Sequence, residues 1–156
     1  MRMFALMLMT LTACAETPKE ATAAVAAAPA KPATAAPEAA SAPVGPDGPE
    51  GIKVPQLGAP STEVATIAAG ERVFADRGCG GCHKFGSKLV GPDLTGLFAR
   101  RSVTWVARMV SDPAVMVKQD PQAKAMFRSL MVEMPKQNVP EADLAPLLAY
   151  LKAQGG

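Results

Sequence analysis

Apolar side chains recur at helical spacing in three stretches of the second half of the chain. Val103, Val106, Met109 and Val110 mark a helix over Ser102–Ser111, and Met126, Phe127, Leu130 and Met131 mark one over Pro121–Glu133. Leu144, Leu147, Leu148, Tyr150 and Leu151 mark a third over Glu141–Ala153. Pro146 falls inside that last run. Either the helix kinks there, or it starts at Asp143 and places the proline in its first turn, where no N–H is missed. The region from Ala15 to Pro60 has no such period. It is mostly Ala, Pro, Thr, Glu and Gly, with no aromatic residue and only Val25, Val44, Ile52, Val54 and Leu57 as larger aliphatics. So few apolar groups cannot bury a core, and a disordered linker is expected. The folded part is then residues 61–156, enough for one small core that a tightly held cofactor would help.

The amino end has a pattern of its own. MRMFALMLMTLTAC places one basic residue before an apolar run from Met3 to Leu11, with small residues following. This is the layout of a secretory signal, too short for a permanent membrane helix, and residues 1–13 are expected to be removed. The tetrad Leu11-Thr12-Ala13-Cys14 resembles the bacterial lipobox, which implies that Cys14 is lipidated and becomes the first residue of the mature chain. A lone thiol exported to an oxidising compartment is a liability unless capped, which favours that reading. Residues 14–60 then form a lipid-anchored tether. Fully polyproline-like, it would reach on the order of 140 Å. The domain would sit on the periplasmic side of a bacterial membrane.

The formal net charge is +2. The two signs are interspersed rather than gathered in a block, so nucleic acid is not an expected partner. A modestly positive face for an acidic protein partner stays open.

The chemistry concentrates in Arg77-Gly-Cys-Gly-Gly-Cys-His-Lys84. His83 is the only histidine, and Cys79 and Cys82 are two of the three cysteines. Structural zinc wants four Cys/His ligands, and three crowded ones do not close a tetrahedron. A dithiol redox site of the thioredoxin type needs alternating strands and helices, which the pattern lacks. The histidine directly after the second cysteine points to a third chemistry. C-x-x-C-H is the attachment signature of haem c, with two thioethers to the porphyrin and the adjoining imidazole beneath the iron. Gly80 and Gly81 keep the backbone unobstructed there. A sole histidine excludes bis-histidine ligation within one chain, so the sixth ligand is sought among Met109, Met116, Met126, Met131 and Met134. Met109, Met126 and Met131 read as helix packing. Met134 differs, because Pro135 ends the helical run and opens the extended stretch KQNVP.

Together these motifs resemble the class I c-type cytochromes over the whole of residues 61–156. Val64–Arg77 is similar to the family's first helix, with Ser61 or Thr62 as its cap and Gly70 and Phe74 on one face. Gly91-Pro92-Asp93-Leu94-Thr95-Gly96-Leu97-Phe98-Ala99-Arg100 is similar to the segment that wraps the proximal side of the haem. The resemblance implies that the Pro92 carbonyl accepts the second N–H of His83, and that Arg100 or its neighbour Arg101 lies near a haem propionate. It implies Met134 as the axial methionine, with Met131 next. It also implies that Leu147 and Tyr150 pack across Gly70 and Phe74. Trp105, the only tryptophan, either donates its indole N–H to a propionate or fills the core.

The expected fold is all-α, four or five helices around one covalently bound haem c. The implied role is single-electron transfer by a monomer, not an enzyme, tethered through Cys14. Its partners would be redox proteins such as a terminal oxidase, a reductase or a cytochrome bc complex. Ser111-Asp112-Pro113 resembles cytochrome domains that accompany copper-containing oxidases and nitrous-oxide reductases. The competing functions are a haem sensor of small gases with a displaceable sixth ligand, and a thiol oxidoreductase.

Overall fold

The computed structural model describes residues 45–156; the signal segment, Cys14 and the tether through residue 44 lie outside the described residues. All regular structure among the described residues is helical: α1 Val64–Asp76, α2 Leu97–Arg100, α3 Val103–Ser111, α4 Pro113–Gln119, α5 Pro121–Leu130 and α6 Glu141–Gly155. A single 3₁₀ turn, Cys79–Gly81, follows α1. The all-α class is as expected, with six helical segments because two Asp-Pro steps punctuate the middle of the chain. At each, the aspartate leaves the helical region and its carboxylate accepts from a first-turn N–H, Asp112 from Val115 at 3.1 Å and Asp120 from Ala123 at 2.8 Å. Proline then occupies the first helical position, where it misses no bond. Asp120 is only 3% exposed, so its cap bond also satisfies a buried carboxylate.

Two boundaries differ from expectation. Neither Ser61 nor Thr62 caps α1. The N-cap position is Glu63 and no side chain serves it, because the Ser61 hydroxyl accepts instead from the Glu63 N–H outside the helix. Helix α5 stops at Leu130 rather than Glu133, with Met131 left-handed at φ 54°.

Helix α6 is apolar on more than one side, and both sides are used. One side lies on α1 at Gly70, where the Pro146 carbonyl and the Tyr150 Cβ come so close that no side chain fits. Phe74 and Tyr150 stack at a centroid distance of 5.3 Å, with Phe85 6.0 Å from each. Pro146 therefore lies inside a continuous helix that begins at Glu141, and Pro146 rather than Leu147 meets Gly70. Leu147 and Leu151 point the other way, into the core. Full burial of Leu147 and Leu148 contributes about 1.5–3 kcal/mol each.

The folded unit starts earlier than Ser61. Gly48, Pro49 and Ile52 are buried, and Ile52 belongs to the core cluster with Trp105, Met116 and Leu144. Composition hid this because few side chains are involved. Two backbone carbonyls, of Asp47 and Gly48, accept from the Arg108 guanidinium at 3.0 and 2.9 Å.

Candidate functional site

Helix α1 aims the attachment motif. It ends at Asp76, and Gly78, at φ 67°, turns the chain into the 3₁₀ turn. The Cys82 and His83 N–H groups both donate to the Cys79 carbonyl, at 3.2 and 3.0 Å. That turn gathers the two thiols and the imidazole along one wall of an apolar cavity. Burial pushes the Cys79 thiol above its ordinary range; a backbone hydrogen bond opposes this in part, and a charge on Cys82 would add to it.

His83 is fixed from behind. Its Nδ1–H donates to the Pro92 carbonyl at 3.1 Å, which leaves the Nε2 lone pair unprotonated and free to bind a metal. Gly91 makes room for the ring, since a Cβ there would stand 2.7 Å from Nδ1. The loop carrying Pro92 is held at several points. Gly91 N–H donates to Cys82 O at 2.8 Å, and Leu94 N–H to Lys84 O at 3.0 Å. The Asp93 carboxylate accepts from the N–H groups of Thr95 and Gly86, at 2.8 and 2.9 Å. Arg100 lines the cavity, and its N–H groups go to the carbonyls of Thr95 and Asp93, at 2.6 and 3.1 Å.

Those hydrogen bonds hold the Asp93 carboxyl below the usual carboxylate range, the Thr95 N–H being the largest cause. A depressed folded pKa contributes stability that is present above the unfolded value of about 3.9 and is lost as pH falls through the folded value. Asp93→Ala is therefore expected to lower the melting temperature at neutral pH. Thermal melts against pH should show the gap to wild type closing below about pH 4.

The remaining walls come from α3, α5, α6 and the segment after α5. Met134 lines the cavity, as do Met109, Met126 and Trp105. Met131 does not: it is 79% exposed, so it is neither core packing nor placed as an alternative ligand. Trp105 is 4% exposed, yet its indole Nε1–H has no protein partner. Arg101 lies over the Trp105 ring at 5.0 Å from its centroid. All seven residues expected at the site, Cys79, Cys82, His83, Pro92, Arg100, Trp105 and Met134, thus line one cavity. Gly91 and Asp93 line it too, and Thr95 braces Asp93 from outside it; their signal was the same stretch that supplied Pro92.

The residues present fit a haem. Two thiols and an imidazole share one apolar cavity with a thioether, and Trp105, whose buried indole N–H has no protein acceptor, lines the same cavity. The family model described as "Cytochrome c" matches residues 67–154, more than half of the chain. The chain belongs to the cytochrome c family. Haem-based electron transfer is the family's general activity, and the covalent haem c is held through Cys79 and Cys82. No curated protein matches the sequence of this cytochrome c. Among solved structures, a cytochrome c from Rhodothermus marinus is similar with a TM-score of 0.61 and 24% identity, covering 70% of this chain and 90% of that one. An engineered cytochrome c from the same organism gives 0.60 and 23%, covering 70% of this chain and 91% of that one. That engineered protein bound to a carbene intermediate gives 0.58 and 24%, with the same coverage. At this identity the likeness is one of fold.

Proposed function

We propose that this cytochrome c is a class I, mono-haem electron carrier, axially ligated by His83 and Met134 and tethered by lipid on Cys14 to the periplasmic side of a bacterial membrane. The observation that carries the reading is the meeting of His83, backed by the Pro92 carbonyl, and Met134 in one apolar cavity. When bound, haem c supplies one-electron exchange between ferric and ferrous iron. The Nδ1–H bond to Pro92 sets the imidazole tautomer and orientation and raises its basicity as a ligand. As a ligand, the Met134 thioether, with the apolar wall, would favour the reduced state and so raise the reduction potential. Trp105 Nε1–H, buried without a protein acceptor, would donate to a haem propionate. Arg100 braces the loop that carries the Pro92 carbonyl and adds a positive charge beside the cavity. His83 and Met134 would hold the iron as its two protein ligands, so the haem would exchange electrons rather than take a substrate, and the partners would be other redox proteins: a terminal oxidase, a reductase or a cytochrome bc complex.

A redox titration of the full chain in membranes tests this together with Cys14→Ala. The expected result is a single one-electron Nernst curve, with the variant moving to the soluble fraction and keeping the same curve. Membrane attachment that survives Cys14→Ala overturns the tether, and a curve that is not one-electron overturns the carrier.

A further inference from the structure

The segment before α1 does more than lead into the domain. The Ser102 hydroxyl donates to the Asp47 carboxylate at 2.6 Å. The same oxygen accepts from the Trp105 N–H at 3.1 Å as the N-cap of α3. One turn further along α3, Arg108 grips the Asp47 and Gly48 carbonyls. Between these two holds lies Gly48, at φ 79°, against the Trp105 ring and the Met116 thioether; a Cβ there would come within 3.3 Å of both. Asp47 and Gly48 therefore bracket the one turn of α3 that presents Trp105 to the cavity. This segment lies outside the family match, which begins at residue 67.

We propose that Asp47–Ile52 is a positioning strap for the haem site, holding the Trp105 indole against the cavity through Ser102 and Arg108. Ile52 pins the strap in the core, Arg108 fixes its carbonyls, and Asp47 orders the cap that starts α3. Loss of these contacts frees the first turn of α3, and Trp105 with it, before the rest of the core responds. The inference adds a segment to the site rather than a ligand. It rests on Trp105 lining the cavity and not on which residue binds the iron.

The test uses the full holo-protein in its diamagnetic ferrous form. Trp105 is the only tryptophan, so its indole N–H gives one unambiguous NMR signal. Asp47→Ala and Arg108→Gln are each expected to speed exchange of that proton roughly tenfold, since exchange reports local opening. Asp47→Asn, which keeps an acceptor for Ser102, restores slow exchange. Leu57→Ala serves as control: Leu57 packs against the core and makes no side-chain hydrogen bond to α3. It should lower the melting temperature without moving the indole signal. If Asp47→Ala and Arg108→Gln lower the melting temperature but leave indole exchange at the Leu57→Ala level, the strap is structural only and the proposal fails. Asp47 is exposed, so its variant remains testable should Arg108→Gln not fold. A change in axial ligation would alter the visible spectrum and not selectively the indole exchange, which separates this outcome from failure of the ligand assignment.

Discussion

Replacing Cys79 and Cys82 together by serine is expected to abolish both the covalent haem and the native fold. The first effect follows from the chemistry: without the thiols no thioether forms, and a haem stain after denaturing electrophoresis should be blank. The second follows from where the core lies. Leu94, Trp105, Val106, Val110, Leu147 and Leu151 are buried, and the same residues line the cavity. Each contributes about 1.5–3 kcal/mol only when its apolar surface has a partner. The margin of a domain this size is about 5–15 kcal/mol in total, and six such side chains together contribute about 9–18 kcal/mol, so losing most of their burial removes the margin. Near-ultraviolet circular dichroism should lose its fixed signals, with a non-cooperative melt. A cooperative melt from a stain-negative double variant would show that the helices hold without the haem.

Gly70→Ala gives the second large effect, and its sign is diagnostic. In an exposed helix interior this change stabilises by roughly 0.5–1 kcal/mol. At Gly70 the new Cβ falls on the Pro146 carbonyl and 2.8 Å from the Tyr150 Cβ, both close to the helix axis of α6. Neither can swing aside as the end of a long side chain would. The helices must separate, which also loosens the Phe74–Tyr150–Phe85 cluster. We expect a loss of about 3–5 kcal/mol. A 1 kcal/mol loss lowers the melting point of a domain near this size by roughly 4–8 °C, so the fall should exceed about 10 °C. Gly70→Val should be worse. A neutral or stabilising Gly70→Ala would mean that α1 and α6 do not cross at this point.

The parts of the molecule that were legible in the sequence are those where residue type alone implies chemistry. Cys79, Cys82 and His83 declare a covalent haem by their order, and Pro135 marks Met134 as lying in extended chain, although α5 itself already ends at Leu130. Pro92 was legible through the whole GPDLTG stretch, whose Asp93 and Thr95 hydrogen bonds now give that stretch its physical reason. What escaped notice acts through backbone. Arg108 reads as an ordinary surface cation because its acceptors are carbonyls about sixty positions away, and carbonyls carry no residue signature. Ile52 sits in a Pro/Gly-rich stretch with no period, so its burial has no pattern to announce it. Met131 matched the helical spacing yet stands exposed at 79%, since α5 had already ended one residue before. Helix α4 is too short for periodicity to mark, and only the Asp112-Pro113 step signals where it starts.

The central claim is an iron held between His83 and Met134, and its most direct test is the absorption spectrum of the oxidised holo-protein beside that of Met134→Ala. The wild type should show the weak long-wavelength charge-transfer band of thioether-to-ferric-iron bonding and should not bind carbon monoxide when reduced. Met134→Ala should lose the band, bind carbon monoxide and titrate at a lower reduction potential. A band that survives in Met134→Ala would assign the ligand to Met109 or Met126, the other methionines lining the cavity. A wild type without the band that binds carbon monoxide readily would contradict the carrier and make the site a gas-binding one.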